Sequence, residues 1–240
     1  MKNSTRVSIA ALALAISGAA FADTASIDFR HSYNTDSRMH SDRIKLNYRM
    51  DNGLGFEGEL KYKVAGDRKD KAFDNTVSNG HEFIVSYQYR IAPNGVLTPA
   101  FNIESDENKT SYKWNLKYQH KLNELFYVAG RYRYQHERLD RDKIDRNVAD
   151  RGKDNHNINR FDAWLGFTPE GPWTVEYQFS YFDTDYIRYD NKKSDYEQNL
   201  ITRYRINKNW RPFFEVGDIK VTSTSDDRQL RLRAGVQYQF

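Results

Sequence analysis

Residues 230–240 alternate without a break, and no other feature narrows the possible folds of this chain as much. Leu230, Leu232, Ala234, Val236, Tyr238 and Phe240 fall on one side, and Arg231, Arg233, Gly235, Gln237 and Gln239 on the other. A period of two sets these groups on opposite faces of a strand. The apolar face is continuous over about the 9–11 residues that a membrane-crossing strand needs. A strand with one wholly apolar face and one wholly polar face must find two different environments.

The same pattern recurs along the chain. Ala25, Ile27, Phe29, His31 and Tyr33 alternate with polar residues, and so do Ile44, Leu46, Tyr48 and Met50. Asp51-Asn52-Gly53 then makes a tight turn, Asn-Gly being suited to the positive φ of a hairpin. Leu54 to Val64 forms a third strand, and a run from His81 to Ile91 a fourth, closed by Ala92-Pro93-Asn94-Gly95. Leu97, Phe101 and Ile103 mark a fifth, where Pro99 predicts a bulge or a strand end. Six further strands carry Tyr112/Trp114/Leu116/Tyr118, Phe126/Val128/Gly130/Tyr132/Tyr134, Phe161/Ala163/Leu165/Phe167, Trp173/Val175/Tyr177/Phe179/Tyr181, Leu200/Tyr204/Ile206 and Trp210/Pro212/Phe214/Val216. With the last strand that makes twelve. Short turns alternate with polar loops over 34–40, 66–79, 137–157, 183–194 and 219–228, the rhythm of short periplasmic turns and longer outer loops. The predicted class is all-β, a transmembrane antiparallel up-and-down β-barrel of about 12 strands. An even count brings both ends of the barrel to one side.

Composition fits this reading. Mean hydropathy is −0.89, so no apolar helix is expected beyond the N-terminus. A barrel strand buries only every second residue in lipid, so its hydropathy signal is weak. Aromatics make up 15%, with 17 Tyr and 14 Phe, and Tyr and Trp cluster at strand ends on the apolar face, where a lipid interface favours them. There is no cysteine, and hence no disulfide framework and no thiolate metal site. Lys2 and Arg6, the apolar run 7–16 and Ala20-Phe21-Ala22 read as a secretory signal peptide over 1–22, leaving 23–240 as the barrel. The expected location is the outer membrane, crossed many times. The last strand, ending on Phe240, is the expected contact for the barrel-assembly machinery, and outer-membrane lipid and lipopolysaccharide the expected surroundings.

With the apolar set in lipid, the polar set lines a pore. Its basic members are Arg30, Arg43, Lys45, Arg49, Lys61, Lys63, Arg90, Lys113, Lys117, Arg131, Arg133, Arg160, Arg203, Arg205, Arg231 and Arg233. Acidic members include Asp28, Glu57, Glu59, Glu82, Glu104, Asp162, Glu176 and Glu215. Many of the cations come as i, i+2 pairs, which project along one wall roughly 6–7 Å apart. Several such pairs on neighbouring strands form a cationic ladder, which concentrates anions and favours their passage. Arginine also grips carboxylates in a two-pronged way.

Several segments resemble a known family: Ser26-Ile27-Asp28-Phe29-Arg30-His31, Val77-Ser78-Asn79-Gly80, Arg131-Tyr132-Arg133-Tyr134, residues 210–217 (WRPFFEVG) and residues 227–240 (DRQLRLRAGVQYQF). The family is that of the oligogalacturonate-specific porins of Gram-negative bacteria, with their sialic-acid-channel relatives. The resemblance spans the mature chain and is most specific in the last two segments. It implies a monomeric twelve-stranded barrel for passive uptake of acidic oligosaccharides from pectin, guided by basic tracks, with no cofactor and no nucleic-acid partner. The sialic-acid branch, or other small anionic sugars, is the alternative substrate class.

Two other readings share the fold. An outer-membrane enzyme needs a serine activated by a histidine, and none of the six histidines lies in a Gly-x-Ser-x-Gly context or at metal-ligand spacing. No catalysis and no metal are therefore expected. A structural barrel would have its lumen closed by pairing of opposite charges. Asp140, Asp142 and Asp145 could hold calcium in a loop, but no EF-hand pattern accompanies them.

Overall fold

The computed structural model describes residues 24–140 and 154–240. The expected leader over 1–22 lies outside the described residues, as do Asp142 and Asp145. The strands are β1 (Thr24–Asn34), β2 (His40–Arg49), β3 (Leu54–Val64), β4 (Thr76–Tyr87), β5 (Tyr89–Ala92), β6 (Gly95–Ser105), β7 (Lys109–Lys121), β8 (Phe126–Leu139), β9 (Asn155–Phe167), β10 (Trp173–Thr184), β11 (Ser194–Tyr204), β12 (Trp210–Lys220) and β13 (Arg228–Gln239). All pairings are antiparallel. β13 returns to β1, with Phe29 opposite Val236, so the sheet closes on itself. β4 and β5 both pair with β6 and are two halves of one stave. Thirteen segments therefore build a closed barrel of twelve staves.

The barrel is apolar outside and polar inside. Trp173, Phe214 and Leu230 are about half exposed on its outer face, at 52%, 49% and 49%, whereas Ser180, Glu137 and Asp162 are buried inside at 0%, 2% and 4%. A ring has no strand edge, so every wall amide can bond to a neighbour, which backbone in hydrocarbon requires.

The short connections gather at one end together with both ends of the described barrel, where the Phe240 amide donates to Ala25 O at 3.0 Å. Gly53, at φ +95°, serves the β2–β3 turn there, and a Cβ in its place would lie 2.4 Å from Gln88 O. The loops 65–75, 185–193 and 221–227 lie at the other end.

Three expectations need correction. Pro99 neither bends nor ends its strand: β6 runs straight through it, opposite Leu116. The irregularity falls on the partner stave, between Ser86↔Ala100 and Tyr89↔Leu97. Proline offers no N–H to the ladder, and the pairing of β4 with β6 stops beside it, at Ser86↔Ala100. The polar stretch 137–157 is also not all loop, because β8 and β9 stay paired as far as Arg138↔Asn155. Above the bilayer both faces of a strand are polar, so the alternation fades while the hydrogen bonding continues. Finally, β11 ends at Tyr204, so Arg205 stands outside the strand on which it was placed.

Candidate functional site: the lumen

The strand parity that sends aromatics outward sends charge into a cavity of about 900 Å³, with a second cavity of about 340 Å³ toward the short-turn end. Arg30, Arg43, Lys45, Gln178 and Arg233 line both, so the two spaces adjoin.

One wall is electrically closed. On β3, β4, β6 and β7, two ammoniums and two carboxylates form a ring. Lys61 Nζ lies 2.9 Å from Glu82 and 2.6 Å from Glu104. Lys113 Nζ is 2.9 Å from Glu82 and also bonds Glu104. Asn102 donates to Glu82 at 2.8 Å, Asn115 donates to Asn102 at 2.9 Å, and Arg133 Nε donates to Asn115 at 2.5 Å. Nearby, Lys109 bonds the buried Glu137, and Asp162 is clasped by Arg131 at 2.8 Å and Arg160 at 2.8 Å.

The wall of β13, β1 and β2 lies diametrically opposite β7 and β8, six staves away round the ring. Here Arg43 reaches Asp28 at 2.8 Å and Glu59 at 3.1 Å, and Lys45 pairs with Glu57. Arg233 meets Glu215 at 2.6 Å, and Arg231 meets Glu197 at 3.4 Å. The buried Nε atoms of Arg43, Arg231 and Arg233 have no acceptor among the described residues. Arg30 stands opposite Arg43 and Gly235 and has no ion-pair partner among the described residues.

The sixteen expected cations therefore separate by partner. Most lumen members are paired. Arg30, Lys117 and Arg133 have no carboxylate partner among the described residues, and Arg49 is folded back to bond Gly53 O and Ser86 at 2.8 and 2.9 Å. Arg203 lines the lower cavity and meets Glu176 at 3.4 Å. Lys63 stands at the outer end beside Glu107 at 3.4 Å, with Glu107 well exposed. Arg90 bonds Pro93 O at 3.3 Å at the short-turn rim. Arg205 bonds Gly171 O at 3.5 Å in the turn below β11 and lines neither lumen cavity. Its place is set by the end of β11, which its neighbouring Arg203 does not reveal.

Three lining cations were not anticipated. Lys109 and Arg211 continue the alternation of β7 and β12, so the period alone could have found them. Arg188 lies in the 185–193 loop, has no periodic signal, and stacks over Phe182 at 3.9 Å with Asp195 at 3.1 Å. On the outer face the fold also joins His31, His40 and Asp42 through bonds of 2.8 and 2.9 Å. No group of three or more His, Asp or Glu fit to hold a metal occurs among the described residues.

Comparison with known proteins bears on the family and the fold. Residues 16–240 match the family described as oligogalacturonate-specific porin protein (KdgM). The chain is 36% identical over 215 residues to "Uncharacterized protein YiiY" of Salmonella typhimurium, covering 89% of each chain. It is 32% identical over 223 residues to the oligogalacturonate-specific porin KdgM of Dickeya dadantii, covering 90% of this chain and 91% of that one. Among solved structures, the KdgM porin in complex with disordered oligogalacturonate superposes with a TM-score of 0.66 at 27% identity, covering 90% of this chain and 99% of that one. The NanC porin superposes with a TM-score of 0.74 at 18% identity, covering 88% and 98%, and speaks to the fold alone.

Proposed function

The chain belongs to the oligogalacturonate-specific porin (KdgM) family, and from that premise we propose that this outer-membrane channel takes up acidic oligosaccharides, oligogalacturonates first among them. The carrying observation is the pair of opposed cationic walls, β13–β1–β2 against β7–β8–β9, with Arg30 on one and Arg133 and Lys117 on the other free of carboxylate partners among the described residues. A chain of uronates threading the lumen passes its carboxylates between these walls. Twelve strands enclose a lumen narrower than that of ~16–18-stranded general porins, which suits a single extended chain. Paired arginines retain N–H donors, so each can lend a hydrogen bond without giving up its carboxylate. Conduction needs binding that is repeated and weak, and many shared cations meet that need better than one deep pocket. The binding of oligogalacturonate by the KdgM porin supports the same substrate class.

The test is single-channel recording of the refolded protein in a planar bilayer. The expected result is an anion-selective pore that short oligogalacturonates block reversibly. A barrel that conducts no ions would overturn the channel assignment, and an open pore indifferent to uronates would redirect the substrate to sialic acid or a broader class of anions.

A further inference from the structure

Trp164 is the one tryptophan of the chain's four that stands inside the barrel. Trp114, Trp173 and Trp210 are exposed on its outer face. Trp164 shares its β9 parity with Arg160 and Asp162, and its cross-strand partners are Ala129 and Gln178. Gln178 lines both cavities, Lys117 and Arg131 line the larger one, and the half-buried Trp164 lies just beneath them. Ala129 is small, so the indole has room to lie flat along the wall toward β7. There Lys117 Nζ sits 4.5 Å from the ring centroid and the Arg131 guanidinium 5.2 Å. Arg131 is bound to Asp162. Lys117 rests on the indole and makes no close ion pair among the described residues.

We propose that Trp164 and Lys117 form a sugar-reading station in the lumen, which takes a uronate unit by ring and by carboxylate together. This deepens the acidic-sugar reading above and rests on it. A pyranose has an apolar face of C–H groups, which is attracted to the negative face of an aromatic ring as other positive edges are. A carboxylate close by offers Lys117 a full counter-charge. An ammonium resting on an indole is held more weakly than one bonded to a carboxylate, so the arriving carboxylate draws it off and uncovers the ring. A cationic wall alone selects for charge; the indole adds selection for a sugar ring that carries the charge. The other lumen aromatic flanked by cations, Phe182, does not offer this: it is buried, and Arg160 and Arg188, over it at 4.7 and 3.9 Å, are both held by carboxylates, whereas Lys117 is not.

The experiment compares two blockers of equal charge in the bilayer, hexagalacturonate and hexaglutamate, on the wild-type pore and on Trp164→Ala, Trp164→Phe and Lys117→Gln variants. The loss of one aromatic contact is worth about three- to tenfold in the blocking constant. Trp164→Ala is expected to weaken hexagalacturonate block by that factor and leave hexaglutamate block within about twofold. Trp164→Phe keeps a ring and is expected to retain most of the sugar block, and Lys117→Gln to weaken both blockers. Equal weakening of both by Trp164→Ala would show a general disturbance of the pore and overturn the station, as would unchanged sugar block. Should Trp164→Ala fail to refold, equal weakening of the two blockers in Trp164→Phe overturns it, and selective weakening of the sugar supports it. A wild-type pore that hexagalacturonate never blocks overturns the acidic-sugar reading itself, so the two failures are distinguishable.

Discussion

Lys113 and Arg133 stand on adjacent strands of one lumen wall, and their surroundings differ in kind. Lys113 is buried between Glu82 and Glu104, inside a ring that Lys61 completes. Among the described residues Arg133 hydrogen-bonds only an amide, Asn115, and it lines the cavity. Arg30, across the barrel, has no ionic partner among the described residues. The same types of residue at the same strand parity are thus structural in one place and available in the other. A buried ion pair recovers its desolvation cost only with good geometry on all sides. A cation already balanced in this way has little left to offer a passing anion. An unpaired cation has its whole field to offer, and its removal leaves no buried carboxylate without a counter-charge.

The sharpest way to break this contrast is to open the closed ring. Glu82→Ala leaves Lys61 and Lys113 sharing Glu104, with only Glu59, 3.9 Å from Lys61, in further support. A loss of about 3 kcal/mol of folding stability is expected, read as a lower denaturant midpoint in detergent. If the midpoint stays where it is, the ring is not structural and the contrast fails. A smaller effect, of the opposite kind, is expected on the unpaired side. Arg30→Ala and Arg133→Ala should each keep the midpoint within about 0.5 kcal/mol of wild type. Each should weaken oligogalacturonate block about tenfold, as for a lost charge-assisted hydrogen bond. Destabilisation with undiminished block would assign these arginines to the structural class. The smallest effect belongs to the outer loop, where Arg68 and Asp74 pair at 3.0 Å with side chains 64% and 36% exposed. Asp74→Asn is expected to change stability by less than about 0.5 kcal/mol and leave block unaltered. This separates ion pairs that matter through burial from those that merely exist, and a larger shift would show that loop 65–75 braces the barrel.

Much of the architecture is legible in the alternation of residues. The twelve staves, their polar inward face and their turns follow from a period of two punctuated by turn residues, because side-chain direction in a strand is a local property. The same rule reaches Lys109 and Arg211. It fails where the lipid ends: Glu137 and Arg138 continue β8 although no apolar face marks them. It fails also at Pro99, where the break in the ladder falls on the partner stave and not on β6 itself. Arg205 and Arg203 look alike along the chain, yet one lies in a turn and the other in the lumen, because hydrogen bonding to β10 and β12 decides where β11 stops.

The partners of the charges belong to a different level. Lys113 and Glu82 lie far apart in the chain, and Arg30 and Arg233, on paired strands, stand near its opposite ends. Electrostatic interaction depends on distance in space and on the dielectric between the groups, and neither is a property of one strand. Residue order therefore settles which side chains face inward and that cations outnumber acids among them. Barrel closure and the register of each pair settle which cations are neutralised, which stay free, and that a lone indole lies beneath one of the free ones.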